Sequence, residues 1–136
     1  MKKIVCFLLV TVLLSALIFP AAAAVIQPDE PCYKKIRQIA IDFSIDESTG
    51  IANCFARCLA ANDVTIKITG TLQQYSNGSW VYVNSWTKTG TKLVILDELW
   101  AVYSGYKYRF IATYSIYDSN GSFVESDSMS RIYDYT

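Results

Sequence analysis

The chain has 136 residues, with 12 Lys+Arg against 12 Asp+Glu, so its formal net charge is zero. That balance argues against a binder of nucleic-acid backbone, which needs a basic excess. The absence of histidine removes Ser-His-Asp and Cys-His catalysis and His-ligated metal sites, and a hydrophobic share of 52% is too high for a disordered chain.

The chain starts on Met1-Lys2-Lys3, a short basic segment. Ile4 to Pro20 is an apolar run broken only by Thr11 and Ser15, and Ala21-Ala22-Ala23-Ala24 follows it. Basic start, apolar centre and small-residue end are the three parts of a secretory signal peptide, expected over residues 1–24. An uncleaved anchor is the rival, but an anchor lacks such a small-residue cleavage site. Cys6 lies in the early apolar run and would leave with the leader. No later stretch is long enough to span a membrane as a helix. The expected product is secreted, slightly acidic and monomeric. At about 110 residues it can bury close to two-thirds of its unfolded surface, enough for one core.

Residues 25–35 hold Pro28 and Pro31 and read as a tail. No proline follows, which suits a chain built of paired strands, because proline cannot donate to a ladder. Residues 36–136 read as one domain. Ile39, Ile41, Phe43 and Ile45 alternate with Ala40, Asp42, Ser44 and Asp46, predicting a first strand over Ile36–Asp46 with one buried face. Glu47-Ser48-Thr49-Gly50 turns the chain into a second strand, Ile51–Ala60. Its small face (Ala52, Cys54, Ala56, Cys58) should lie opposite the large face of the first. Antiparallel pairing then sets Ile45 against Ala52, Phe43 against Cys54, Ile41 against Ala56 and Ile39 against Cys58.

A third strand is predicted over Val64–Gln73, with Val64, Ile66, Ile68 and Leu72 inward. Gly70 falls on the inward parity and points to a bulge or a close approach. Asn77-Gly78 is a strong hairpin signal, and Trp80–Thr87 is the fourth strand. Lys92–Leu96 is a short fifth, followed by a looser connection over Asp97–Gly105. Tyr106–Tyr117 is the sixth, with Tyr108, Phe110, Ala112, Tyr114 and Ile116 on one parity. A second Asn-Gly hairpin at Asn120-Gly121 leads to the last strand, Phe123–Tyr133. Seven short strands with no helical period predict an all-β, antiparallel sandwich, immunoglobulin-like, with an up-and-down barrel as the alternative. A tyrosine just inside the sixth strand, in Gly105-Tyr106-Lys107-Tyr108, is placed for a tyrosine corner and favours the sandwich.

Certain segments resemble a family of small secreted proteins of Gram-positive bacteria, each one immunoglobulin-like or fibronectin-like domain of no known activity. They are Gly50-Ile51-Ala52-Asn53-Cys54, then Leu72-Gln73-Gln74 with Trp80, Val83 and Trp86. Gly105-Tyr106-Lys107-Tyr108-Arg109 and Asn120-Gly121-Ser122 with Glu125-Ser126 complete the set. The resemblance covers nearly all of the chain after the leader. It implies a fold and a secreted location, and it brings no catalytic residues. Cys58 and the long Asp97–Ser104 connection depart from the family pattern.

Candidate chemistry is sparse. Cys32, Cys54 and Cys58 remain after the leader. Cys54 and Cys58 are separated by roughly 13 Å along one strand face, beyond the ~7 Å reach of a disulfide between Cα atoms. At most one can pair with Cys32. Cys58 lies at the strand end nearest Cys32, so Cys32–Cys58 is the candidate disulfide and Cys54 a buried free thiol; three free thiols are the alternative. Three cysteines so spread, without histidine, do not make a zinc site, and no metal or other cofactor is implied. Asp46-Glu47 and Asp97-Glu98 read as solvated turn residues rather than a glycosidase pair across a cleft, and no catalytic residue is assigned. Asn77-Gly78-Ser79 and Asn120-Gly121-Ser122 match the glycosylation rule, but the hairpins explain both.

The aromatics stand out: 10 Tyr, 3 Trp and 6 Phe. Trp80, Tyr82 and Trp86 share one parity of the fourth strand and Val81 and Val83 the other. If the valines face the core, the aromatics form an exposed ledge suited to a sugar ring or a protein partner; if the tryptophans face in, they are core. A shift of one residue decides between these. Three function classes follow: a secreted binding or adhesion module for a protein or glycan, an envelope-associated structural protein, and a small secreted enzyme.

Overall fold

The computed structural model describes Tyr33–Thr136. The leader expected over residues 1–24, the tail up to residue 32 and Cys32 itself lie outside the described residues. Seven strands follow: β1 (Ile36–Asp46), β2 (Ile51–Ala60), β3 (Thr65–Ser76), β4 (Ser79–Thr91), β5 (Leu93–Ala101), β6 (Tyr106–Tyr117) and β7 (Phe123–Tyr135). They form two sheets, one in the order β1-β2-β5 and one in the order β4-β3-β6-β7, with every pairing antiparallel. The order is immunoglobulin-like: first, second and fifth strands on one sheet, third, sixth and seventh on the other, with β4 added at the edge of the second.

The core is the meeting of the alternate residues of both sheets. From the small sheet come Phe43, Ile45, Ala52, Cys54, Ala56, Cys58 and Leu96, and from the large sheet Ile66, Ile68, Leu72, Tyr108, Phe110, Ala112, Tyr114 and Ile116. The β1–β2 ladder has the expected pairing, with Ile45, Phe43, Ile41 and Ile39 opposite Ala52, Cys54, Ala56 and Cys58. Ile39 and Ile41 are only half-buried, because β1 is an edge strand. The close approach expected at Gly70 is present: a Cβ there would sit 2.7 Å from Phe110 Cε2 and 3.3 Å from Leu96 Cδ2. The ladder with β6 is continuous through Gly70, opposite Ala112, so no bulge occurs at this position.

The tyrosine corner is Tyr108. Its hydroxyl donates to Tyr103 O at 2.9 Å, with Gln74 Oε1 at 3.2 Å, and accepts from Tyr103 N at 3.1 Å. This satisfies the backbone of the chain as it leaves β5 and enters β6.

Several boundaries differ from the sequence expectation. β5 does not stop at Leu96. Leu99, Trp100 and Ala101 continue to pair with Asn53, Ala52 and Ile51, so the loose connection shrinks to the segment between Ala101 and Tyr106. Asp97 and Glu98 are therefore mid-strand, not in a turn. Backbone pairing with β2 carries the strand past its carboxylates, which alternation places on opposite faces. β4 runs on to Thr91, and the left-handed Lys92 (φ 65) is the one-residue corner into β5 on the other sheet.

Candidate binding face

The β3–β4 ladder contains a bulge. Leu72 pairs with Asn84, but Gln73 pairs with Tyr82, so Val83 is an extra residue on β4. A bulge reverses which face the next residues take. Trp80 and Tyr82, opposite Tyr75 and Gln73, stand on the outer face with the outward residues of β3. Trp86, opposite Gly70, stands on the inner face and packs against the core together with Val83. Its ring meets Trp100 of β5 edge-on, centroids 5.9 Å apart at 72°. The three aromatics predicted to share one face are thus divided: Trp80 and Tyr82 belong to a ledge, and Trp86 closes the side of the sandwich between β4 and β5.

The ledge gains residues from neighbouring strands. Tyr75 of β3 leans on Trp80 with centroids 5.2 Å apart at 60°. Arg109 of β6 lays its guanidinium over the Trp80 ring, 4.4 Å from the centroid. Gln73, which pairs with both Tyr82 and Arg109, anchors that guanidinium by accepting from Nε at 3.0 Å and Nη2 at 2.6 Å. Tyr82 is 62% exposed, and Ile132 of β7, opposite Arg109, is also exposed. A strip of Tyr82, Trp80, Tyr75, Arg109 and Ile132 therefore crosses the four-stranded sheet on its solvent side. A fixed guanidinium beside aromatic faces suits CH–π stacking on a sugar or anchoring of a protein partner. Arg109, Gln73 and Tyr75 escaped sequence reasoning. β3 and β6 are distant in sequence, and no local pattern announces that Gln73 and Arg109 are cross-strand neighbours.

The other candidates do not converge. Cys54 and Cys58 are fully buried; desolvation first, then the nearby Glu98 and Glu125 carboxylates, push their thiols up to about 12 and about 11 respectively. Neither is a thiolate nucleophile at neutral pH. Asp46 accepts from Ser48 N and Ser48 Oγ at 2.9 and 2.6 Å, and the Ser48 hydroxyl chiefly holds its carboxyl below the usual range, a turn-capping role. An open depression of about 250 Å³ is lined by Asn62, Asp63, Val64, Thr65, Thr91 and Ser119. Its carboxylate, Asp63, is taken up by the Lys35 ammonium at 2.6 Å. Among the described residues, no three His, Cys, Asp or Glu side chains gather where a metal ion would sit.

Comparison of the chain with protein-family models and with curated proteins found no match.

Proposed function

We propose that this chain is a secreted, non-catalytic binding module, acting as a monomer, whose contact surface is the outer face of the four-stranded sheet around Tyr82 and Trp80. The exposure of Tyr82 beside a guanidinium already fixed over Trp80 carries this reading. Exposed aromatics clustered beside an ordered cation are the kind of patch that marks a contact surface, and aromatic and Arg side chains are the usual anchors of such surfaces. The leader pattern supports the secreted location, and a glycan or a protein is the ligand class that the chemistry fits. Screening the purified protein on a glycan array and against envelope material tests the proposal. Tyr82→Ala should leave thermal unfolding within a few degrees and abolish the binding found. Full binding by that variant overturns it.

A further inference from the structure

The outer face of the four-stranded sheet carries unpaired charge of one sign. Alternation and the ladders place Lys67 of β3, Lys107 and Arg109 of β6 and Asp134 of β7 on it. Asp134 is held by Lys107 at 3.3 Å, whereas neither Lys67 nor Arg109 has a carboxylate partner among the described residues. The other described carboxylates stand elsewhere. Asp42 and Asp97 lie on the outer side of the small sheet, and Glu98, Glu125 and Asp127 on the core-side parity of edge strands. Asp46, Glu47, Asp63 and Asp118 lie at turns. The two unpaired cations are far apart. Arg109 pairs with Gln73, and Lys67 precedes Gln73 by six residues on β3, so about 20 Å separates them at ~3.3 Å per residue. The floor between them is hydroxylated: Thr69 and Thr71 on β3, Ser85 and Thr87 on β4, Thr113 and Ser115 on β6. Each hydroxyl both donates and accepts, as the hydroxyls of a sugar do.

That floor selects the occupant. The centre of a protein interface is apolar and poor in serine, the reverse of this surface. A nucleic-acid strand is held by a continuous basic groove, and two separated cations do not make one. A second copy has its acidic face on the outer side of the small sheet. There Asp42 and Asp97 flank Phe55 in one cross-strand row, and Leu59, Ile95 and Leu99 stand exposed around them. Docking that face would lay apolar side chains on hydroxyls and leave the hydroxyls without partners. An acidic glycan meets all three features at once. Its rings stack on the aromatic ledge, its hydroxyls match the floor, and its charge matches the cations.

We infer that the ligand of this face is an acidic glycan chain several sugars long, which starts on the Tyr82–Arg109 row and runs along β3 to Lys67. A ring rests on Tyr82, one anionic group meets the Arg109 guanidinium and another meets the Lys67 ammonium. Arg109 keeps Nη1 for this contact, because Gln73 takes only Nε and Nη2. Carboxylate and sulfate both fit the two cations. The inference rests on the binding face proposed above and narrows its ligand from any protein or glycan to an anionic polysaccharide.

The test titrates the full chain with polygalacturonate, dextran sulfate, neutral dextran and polyglutamate. Either or both acidic polysaccharides should bind, and their ranking names the preferred anionic group. Neutral dextran should bind about tenfold more weakly, from the loss of two exposed charge contacts at about threefold each. Lys67→Gln should weaken binding of the acidic chain about threefold and reduce its salt dependence, and Lys67→Arg should retain both. Galacturonic acid itself, too short to reach Lys67 from the ledge, should not respond to Lys67→Gln. Equal binding of neutral dextran, equal binding of polyglutamate, full binding by Lys67→Gln, no binding of either acidic polysaccharide, or self-association through this face would each overturn the inference. Failure of the binding face itself reads differently: Tyr82→Ala would then bind the acidic chains as tightly as wild type. Loss of all binding in Tyr82→Ala with no preference for charge would overturn the acidic ligand alone.

Discussion

Trp86 stands directly opposite Gly70 across the β3–β4 ladder, on the core side of the large sheet. The missing side chain at Gly70 is filled by the Phe110 ring, whose Cζ lies 2.9 Å from where a Cβ would be. Phe110 is fully buried, so the ring has nowhere to retreat. Gly70→Ala should therefore destabilise the fold by about 1–3 kcal/mol, the usual cost of overpacking a core. Denaturant unfolding of the variant checks this; a midpoint equal to wild type would show that Phe110 and Leu96 can shift at no cost.

The tyrosine corner gives a second test. Tyr108→Phe keeps the buried ring and removes the hydroxyl that both accepts from Tyr103 N and donates to Tyr103 O. Two backbone groups then lose their partner, and a loss of about 1–3 kcal/mol follows. Exchange of the Tyr103 amide should accelerate more than that of the Phe110 amide deeper in β6.

A third test uses pH. Glu125 of β7 accepts three successive backbone amides where the chain enters β1: Lys34 N at 2.9 Å, Lys35 N at 2.5 Å and Ile36 N at 2.8 Å. Burial alone pushes its carboxyl up, but these hydrogen bonds together outweigh that, and the group lies below its ordinary value of 4.5. A carboxyl lowered in the folded state contributes stability that is complete above the unfolded value and is lost as pH falls through the folded one. Wild-type stability should fall as pH drops below about 4.5, and Glu125→Gln should flatten that part of the curve. An unchanged acid limb in Glu125→Gln would refute the assignment.

The thiols give a fourth. Tyr33, the residue after Cys32, packs against the core cluster that includes Cys58, and its hydroxyl donates to Asp127. Cys58 is a free buried thiol in the structure, and a Cys32–Cys58 disulfide is the product expected on oxidation, closing a loop of about 26 residues for roughly 3 kcal/mol in the chain-entropy picture. Non-reducing peptide mapping should find that link and one free Cys54. A Cys32–Cys54 link, or three alkylatable thiols after denaturation, would exclude it.

The β1–β2 hairpin was legible because four large residues alternate on one strand and four small ones on the next, across a turn ending in Gly50, which has a left-handed φ of 68°. A corner tyrosine at the start of β6 was legible because a corner has a fixed place in a sandwich, but only its hydrogen bonds to Tyr103 select Tyr108 over Tyr106. The division of Trp80 and Tyr82 from Trp86 was not, because Val83 looks like any other strand valine and nothing local marks it as the residue left unpaired. The second half of β5 was hidden for a related reason. Adjacent carboxylates at Asp97 and Glu98 read as a turn, and only the partner residues Phe55 and Cys54 on β2 show that they lie in a ladder.

The carboxylate clamp at Glu125 also bears on how the domain would respond to a pull between its two ends. Chain entry at Tyr33 lies beside the start of β7, whereas the Tyr135 hydroxyl at the end of β7 donates to Glu47 O, at the far end of β1. Entry and exit thus sit at opposite ends of the sandwich. Tension between them runs along β1 and β7, perpendicular to their ladder hydrogen bonds, so those bonds must yield together in shear rather than one at a time. The three amides on Glu125, nearest the point where force would enter, should then be the first to part.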